Sequence, residues 1–184
     1  MAVIRVQFAV YGALPGGDST RALAFDVTGQ LQTFINEQGG IVLCGNPGFG
    51  DPSPGNLKHF GAKVVRDGLE VFFACEENQV IDFNHAGGAP VSGSPPARDF
   101  LVKFAVYGAL PGGNESEAQA FDVTSHLQAL LNKGPVITAN NTFFSDPSPG
   151  YLKHFAAVVT RGGKDFHFAC AEGQNIDFRS GGFD

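Results

Sequence analysis

The amino-acid sequence repeats itself. The run from Phe8 to Gly17 recurs unchanged from Phe104 to Gly113, and the run from Asp51 to Gly55 recurs from Asp146 to Gly150. Most other aligned positions are also identical, and a single one-residue gap follows Gln38. Self-similarity at this spacing is typical of tandem copies of one domain. We therefore predict two homologous domains, repeat 1 (residues 1–84) and repeat 2 (residues 99–184), so that any functional site is present twice.

The segment between the repeats has the composition of a linker. Residues 85–98 are mostly Gly, Ser, Pro and Ala and show no apolar period. Such segments are partly flexible and partly stiffened by proline. The sequence predicts two separately folded modules on a short tether.

The first segment of each repeat alternates between apolar and other residues. Val6, Phe8 and Val10 fall on one face of an extended chain, and Gln7, Ala9 and Tyr11 fall on the other. Alternation with a period of two is typical of a strand with one buried face. We therefore expect a half-buried strand here and at the matching positions of repeat 2.

The remainder of each repeat predicts further strands and one short helix. Turn residues and helix-capping residues separate the apolar runs. In repeat 1 the expected elements are a strand near 23–27, a helix capped at its N-terminus by Thr28 or Asp26 and ended by Gly39-Gly40, a strand at 41–44, a hairpin of 57–66 and 69–75, and a strand at 80–83. The predicted fold class is α+β, mainly antiparallel β, with five or six strands and one short helix per domain.

Charge and hydropathy exclude two classes of partner. The net charge is −6 and the 12 Lys and Arg residues form no cluster. Binding to nucleic acid or to an anionic membrane surface requires a concentrated basic face, so neither is expected. No apolar run approaches the roughly 18 residues that span a bilayer, so membrane insertion is not expected.

The cysteines and the first residues indicate a reducing compartment. Cys75 and Cys170 match each other, whereas Cys44 is matched by Ala139. A disulfide within repeat 1 would have no counterpart in repeat 2, so free thiols are the simpler interpretation. The first residues do not resemble a signal peptide. A cytoplasmic location is expected, and the oligomeric state is left open.

Catalytic side chains are not evident. Cys75 and Cys170 share a strand face with phenylalanines, which predicts buried, inert thiols rather than nucleophiles. His59 and His154 start a strand in each repeat, and one histidine per copy with no second histidine nearby does not predict a metal site. Calcium binding by Asp18, Asp26, Asp51 and Asp82 has no recognised spacing to support it. We expect no enzyme activity, no metal and no cofactor.

The best candidate site is the loop that contains the Asp-Pro-Ser-Pro-Gly motif. Prolines fix its backbone and glycines permit close approach or positive φ. Its amide, carboxylate and ammonium groups match the donors and acceptors of vicinal hydroxyls, and a tyrosine facing outward could stack on a sugar ring. The candidate ligand-binding residues are Tyr11, Asn46, Asp51 and Lys58 in repeat 1, and Tyr107, Asn141, Asp146 and Lys153 in repeat 2. The alternative is a stiff connection whose aspartate caps its own turn.

The order of these motifs resembles the rhamnose/galactose-binding lectin domain, a family often found as tandem domains. Tyr-Gly ends the first strand, and Phe49-Gly50-Asp51-Pro52 is followed by a glycine and then by Lys58. The resemblance implies sugar contacts by Asn46, Asp51 and Lys58 and by their equivalents in repeat 2. Ala13 and Ala109 stand where the family has arginine, and the family's disulfides are absent. The sequence is also similar to a domain at the C-terminus of some J-proteins.

These observations favour a carbohydrate-binding protein with one shallow site per repeat and glycans or glycoconjugates as partners. Two tethered weak sites gain avidity on a multivalent glycan, which gives the duplication a physical purpose. The alternative function is a protein-interaction or inhibitor module that uses the rigid proline loops as its contact surface. Sequence differences at the loops predict related ligands with unequal affinities.

Overall fold

A computed structural model describes residues 3–85, 87–88 and 100–182 of the chain. Within these residues each repeat contains six strands, two short helices and a 3-10 turn. Most of the predicted linker, residues 86 and 89–98, lies outside the described part. The predicted mainly antiparallel α+β class is confirmed, with six strands per repeat.

The elements follow the same order in both repeats. Those of repeat 1 are β1 (Ile4–Ala13), a 3-10 turn (Pro15–Gly17), β2 (Leu23–Asp26), α1 (Thr28–Glu37), β3 (Ile41–Cys44), α2 (Asn46–Phe49), β4 (His59–Arg66), β5 (Leu69–Glu76) and β6 (Gln79–Asp82). Those of repeat 2 are β7 (Phe100–Ala109), a 3-10 turn (Pro111–Gly113), β8 (Gln119–Asp122), α3 (Thr124–Leu131), β9 (Val136–Thr138), α4 (Asn141–Phe144), β10 (His154–Arg161), β11 (Lys164–Ala171) and β12 (Asn175–Asp177).

Each repeat is built on one four-stranded antiparallel sheet. The strand order is β2-β1-β4-β5 in repeat 1 and β8-β7-β10-β11 in repeat 2. A second, two-stranded sheet pairs β3 with β6 and β9 with β12. The long helix begins at Thr28, and the Oδ1 atom of Asp26 accepts the backbone N–H of Thr28 at 2.8 Å. Its N-cap residue is Val27, which makes no side-chain capping bond, so the prediction that Asp26 or Thr28 caps the helix is wrong.

The first strand does not have the predicted half-buried pattern. Its register against β4 shifts between Val6 and Phe8. A bulge adds a residue and reverses which side chains face each side beyond it. Val6, Ala9 and Tyr11 therefore lie together in the core beneath α1, whereas Val10 belongs to a second core on the opposite face. Both faces of the strand are buried.

The second core explains why both faces are apolar. The two large sheets pack face to face, and residues of both repeats interlock between them, including Val10, Phe72, Phe104 and Val106. The linker composition predicts two independent modules on a tether. The repeats instead pack against each other and form the halves of one body. Sheet-on-sheet packing of this kind buries the inner faces of both sheets.

The inner faces of the two large sheets are in close contact at Gly61. A Cβ atom at this position would overlap the Cβ of Ala156 and lie 2.6 Å from Cγ1 of Val106. Ala156 is the residue of repeat 2 that corresponds to Gly61. The space between the sheets therefore holds the methyl group of Ala156, and it has no room for a second methyl group on residue 61.

The described linker residues also pack against the sheets. The N–H of Gly88 donates to the carbonyl of Phe72 at 2.9 Å, and the N–H of Phe72 donates back at 3.1 Å. The N–H of Gly87 donates to the carbonyl of Ala118 in repeat 2 at 3.1 Å. This part of the connection pairs with the edge strand β5 and contacts both repeats.

Candidate functional site

The Asp-Pro-Ser-Pro-Gly loop holds its own shape. The Oδ1 atom of Asp51 accepts the backbone N–H of Ser53 at 3.1 Å, and the N–H of Asn56 donates to the carbonyl of Ser53 at 3.1 Å. Gly55 has a φ of 78°, a conformation that favours glycine. The loop is therefore a stiff, self-capped turn, as the alternative interpretation of the sequence expects.

Lys58 lies beneath this loop and is buried, with 3% of its surface exposed. Its Nζ atom donates to the carbonyl of Asn56 at 2.9 Å and lies 3.1 Å from Oδ1 of Asp51 and 3.4 Å from Oε1 of Glu77. These three acceptors match the three donors of an ammonium group. The ammonium is therefore committed to the protein, and its role is to hold the two carboxylates rather than to contact a ligand.

Tyr11 does not face outward as predicted. Its side chain is fully buried, and its ring packs against that of Phe49 at 5.5 Å between centroids. Its hydroxyl donates to Oδ1 of Asn46 at 2.9 Å. Burial, and then the nearby carboxylate of Glu77, raise the pKa of this phenol, so it stays a neutral donor. The prediction that Tyr11 and Tyr107 stack on a sugar is wrong, because the bulge in the strand turns both rings into the core.

Asn46 links the buried tyrosine to the loop. Its Nδ2 atom donates to Oδ2 of Asp51 at 3.3 Å. A continuous polar network therefore runs from Tyr11 through Asn46, Asp51 and Lys58 to Glu77. The four candidate residues of repeat 1 do come together, although only some of them reach the surface.

Repeat 2 reproduces the network nearly atom for atom. The hydroxyl of Tyr107 donates to Asn141 at 2.9 Å, and Asn141 donates to Asp146 at 3.3 Å. The ammonium of Lys153 lies 3.0 Å from Asp146 and 3.5 Å from Glu172. The two networks have the same members and the same geometry, so the duplication has preserved the arrangement and not only the residue types.

Glu77 and Glu172 are functional candidates that the sequence analysis missed. Each also accepts the backbone N–H of the buried lysine, at 3.1 Å in both repeats. A signal was present, because both glutamates follow their lysine by 19 residues. Sequence alone gives no reason to pair that glutamate with that lysine, since the turn after β5 brings them together only in the fold.

The part of the network that reaches solvent is small. The side chains of Asp51 and Asp146 are each 36% exposed, and those of Asn46 and Asn141 are partly buried. The lysines and tyrosines lie beneath them. Each repeat therefore presents one carboxylate and one amide, fixed in place from below, on a rigid surface loop.

The two loops differ in their aromatic content. Tyr151 and Phe143 are 46% and 41% exposed in repeat 2, where repeat 1 has Asn56 and Gly48. In repeat 1 a Cβ atom on Gly48 would lie 2.8 Å from the ring of Phe34, so the ring leaves no room for a side chain there. Repeat 2 has Leu130 at the position of Phe34, and the smaller residue accompanies the larger Phe143.

The replacement of Asn56 also changes a hydrogen bond. In repeat 1 the Nδ2 atom of Asn56 donates to the hydroxyl of Ser53 at 3.1 Å. In repeat 2 the hydroxyl of Ser148 is buried and has no hydrogen-bond partner within the part of the chain that the structure describes. The change from Asn56 to Tyr151 therefore removes a hydrogen bond to the serine hydroxyl and adds an exposed aromatic side chain.

The two strand histidines are neighbours, contrary to the prediction of one isolated histidine per copy. The Nδ1 atoms of His59 and His154 lie 2.9 Å apart, and the rings stack with 5.1 Å between their centroids. Burial lowers the pKa of His59 to about 4 and that of His154 to about 3. Both imidazoles are neutral at pH 7. In the described residues no group of three potential metal ligands gathers around them or elsewhere.

The other residues considered for chemistry have local structural roles. Cys75 and Cys170 are fully buried, as predicted, and burial raises the pKa of both thiols. The carboxylate of Asp18 accepts the N–H and the hydroxyl of Thr20. The carboxylate of Asp82 pairs with His85 at 2.6 Å.

Comparison of the chain with protein families, curated proteins and solved structures finds no match. The likeness to the lectin domain therefore remains a prediction from the motifs. Among the described residues, no helix is both long enough and apolar enough to cross a membrane.

Proposed function

We propose that the protein binds carbohydrate through one shallow site per repeat. The observation that carries this proposal is the duplicated network, which fixes an exposed carboxylate beside an amide in each repeat. A carboxylate accepts hydrogen bonds from two adjacent hydroxyls, and an amide both donates and accepts. Vicinal hydroxyls of a sugar offer the complementary groups.

The buried members of the network support binding by fixing the exposed ones. Lys58 and Tyr11 hold Asp51 and Asn46 from below, and the loop caps its own turn. Side chains that are already ordered lose little conformational entropy when a ligand arrives. The polar ends are thus prepared for a ligand without any rearrangement of the loop.

Two sites in one rigid body give the duplication a purpose. A single shallow sugar site has an affinity of about −4 kcal/mol, which corresponds to a millimolar dissociation constant. A second site raises the avidity for a multivalent glycan by orders of magnitude where the spacing permits both to engage. Because the repeats pack against each other, that spacing is fixed by the fold rather than by a flexible tether.

A glycan array tests the proposal. The full chain is expected to bind a subset of multivalent glycans, and the variant carrying both Asp51→Asn and Asp146→Asn is expected to lose that binding. The matched control is Asp67→Asn, since Asp67 lies in the β4–β5 turn, away from both loops. An array with no positive glycan, or a double variant that binds as well as the parent, contradicts the proposal.

A protein-interaction module is the second candidate, and exposed leucines favour it. Leu57 and Leu152 follow the two loops and are 50% and 53% exposed. Exposed apolar groups beside a rigid loop are a feature of protein contact surfaces. Capture of a specific protein that is lost in the Leu57→Ser, Leu152→Ser variant and unaffected by free sugars would favour this function over sugar binding.

We place either activity in the cytoplasm. This proposal rests on the three free cysteines, all of them buried, and on the alanine, Ala139, that stands in repeat 2 at the position of Cys44. Thiol labelling of the protein in unfolded form, taken directly from its native compartment, is expected to modify all three cysteines. A disulfide between any two would contradict the proposal.

A further inference from the structure

A cavity lies between the repeats, away from the Asp-Pro loops. This interrepeat cleft has a volume of about 510 Å³. Phe8 and Asp26 line it from repeat 1, and Lys103, Thr160 and His167 are among the residues that line it from repeat 2. It exists only because the two sheets pack together, so it belongs to the whole chain and occurs at the boundary of the repeats.

The polar groups of the cleft carry both signs of charge. The carboxylate of Asp165 accepts from Nζ of Lys103 at 2.6 Å and from the hydroxyl of Thr160 at 2.6 Å. These two hydrogen bonds, the lysine's first, hold the pKa of Asp165 below its usual value. The Nε2 atom of His167 lies 3.7 Å from Oδ2 of Asp26. Two aspartates (Asp26 and Asp165) and two lysines (Lys103 and Lys164) line the cleft, so neither sign of charge is in excess.

The cleft also has an apolar wall. The ring of Phe8 stacks on that of Phe104 with 5.9 Å between centroids. Leu101 lines the same space and is 48% exposed. An apolar wall beside a few converging polar groups is the usual composition of a small-molecule site, and the volume is within the common range.

On the other side of the molecule, described residues of the connection lie against the matching strand, β5. There Gly88 pairs with Phe72, the counterpart of His167, and Phe72 is fully buried. A Cβ atom on Gly88 would overlap the backbone of Ala120, so the linker backbone fits tightly into that space.

The residues of the open cleft have diverged between the repeats. Thr160 corresponds to Val65, His167 to Phe72 and Lys103 to Gln7. Most aligned positions of the repeats are identical, yet each of these three differs, and each has the more hydrogen-bonding or charged residue on the cleft side. Two other lining residues differ in the opposite sense, since Val158 corresponds to Lys63 and Leu101 to Arg5, so the cleft combines an apolar wall with new polar groups.

We propose that the interrepeat cleft binds a neutral saccharide. Balanced charge favours neither an anion nor a cation, whereas hydroxyls can donate to the carboxylates and accept from the ammonium and imidazole groups. The apolar C–H face of a sugar ring fits against Phe8 and Leu101. This inference does not rest on the loop sites, which lie elsewhere and use other residues.

The test follows the Cε1–H signal of His167 by NMR in the full chain with labelled histidines. D-Galactose, L-rhamnose, D-glucose and D-mannose are titrated separately, with inorganic phosphate and free lysine as charged probes. At least one sugar is expected to shift the signal with saturation at millimolar concentration. No shift with any sugar, or a saturating shift with a charged probe only, overturns the proposal.

Variants that carry the residues of repeat 1 locate the binding. The double variant Thr160→Val, His167→Phe is expected to weaken binding of the sugar that shifts the His167 signal at least tenfold, as measured by calorimetry. If this variant unfolds, Lys103→Gln provides a second test, because it changes an exposed side chain. Asp67→Asn, in the β4–β5 turn, is expected to leave the binding unchanged, and the signal of His167, which lines the cleft, separates this binding from that at the loop sites. Undiminished binding in the cleft variants overturns the proposal.

Discussion

His59 and His154 share one hydrogen bond across the boundary between the repeats, with 2.9 Å between their Nδ1 atoms. One imidazole must donate its Nδ1–H and the other must accept, so the two corresponding residues hold different tautomers. They occupy matching positions in the two copies, and they meet because the two sheets face each other. This pair ties the stability of the whole body to the protonation of two buried side chains.

Acidification is expected to destabilise the protein through this pair. The pKa values of His59 and His154 are about 4 and about 3 in the fold, below the ordinary value of 6.5. From pH 6.5 down to 4 the unfolded chain binds protons that the folded chain does not, so the contribution is complete above pH 6.5 and declines as the pH falls. The expected loss for the pair is a few kcal/mol.

Urea unfolding between pH 7.5 and 4.5 measures this effect. The double variant His59→Phe, His154→Phe is expected to lose less stability over that range than the parent, because it has no imidazoles to protonate there. His126→Gln changes an exposed histidine and serves as the control. Identical pH dependence in the parent and the double variant would show that the pair is not linked to folding.

The contact between Gly61 and Ala156 gives a test of the packing of the repeats. Gly61→Ala adds a methyl group that overlaps Ala156, and overpacking of this kind costs about 1–3 kcal/mol. Exchanging the two residues, Gly61→Ala with Ala156→Gly, is expected to restore most of the lost stability. Chemical unfolding of the three proteins measures both changes. A cost that the exchange does not relieve would mean that the two residues are not in contact.

Removal of Glu77 is expected to be more damaging than its partial exposure suggests. Glu77→Ala leaves the buried ammonium and the backbone N–H of Lys58 without a main acceptor, which costs about 2–4 kcal/mol. The comparison is Glu70→Ala, which breaks the more exposed ion pair with Lys63 and is expected to cost about 1 kcal/mol or less. Equal unfolding midpoints for the two variants would remove the structural role assigned to Glu77.

The two loop sites are expected to bind with unequal strength. Tyr151 and Phe143 add exposed aromatic surface beside the Asp146 loop, and an aromatic contact contributes about 0.5–1.5 kcal/mol. Asp146→Asn is therefore expected to reduce glycan binding about three- to tenfold more than Asp51→Asn does. Binding of each single variant to an immobilised glycan measures the difference. Equal losses would count against the role of the two aromatic residues.

Much of the fold follows from the sequence, because its signals are local. The strands, the helix that starts after Asp26 and the hairpin at Asp67 depend on neighbouring residues and on turn chemistry. The bulge after Val6 is different, since nothing in the alternation marks it. It alone decides that Tyr11 enters the core, which is why the stacking role predicted for that residue is wrong.

One feature of the sequence indicates that the repeats pack together, although the linker composition indicates separate modules. From Phe8 to Val10 the first strand is apolar without interruption, which indicates burial on both faces rather than one. The grouping of Asn46, Asp51 and Lys58 was predictable from their short separation. Glu77 was not, because its contact with the lysine depends on a turn between strands that brings distant residues together.

The most direct test of sugar binding is a titration of the full chain, followed through the side-chain amide signals of Asn46 and Asn141 by NMR. The titrant is a glycan that binds in the array, or, failing one, the four monosaccharides used for the interrepeat cleft. Both amide signals are expected to shift with saturation, that of Asn141 at the lower concentration, and the shifts are expected to disappear in the Asp51→Asn, Asp146→Asn variant. Amide signals that stay unmoved at saturating glycan would contradict sugar binding at the loops.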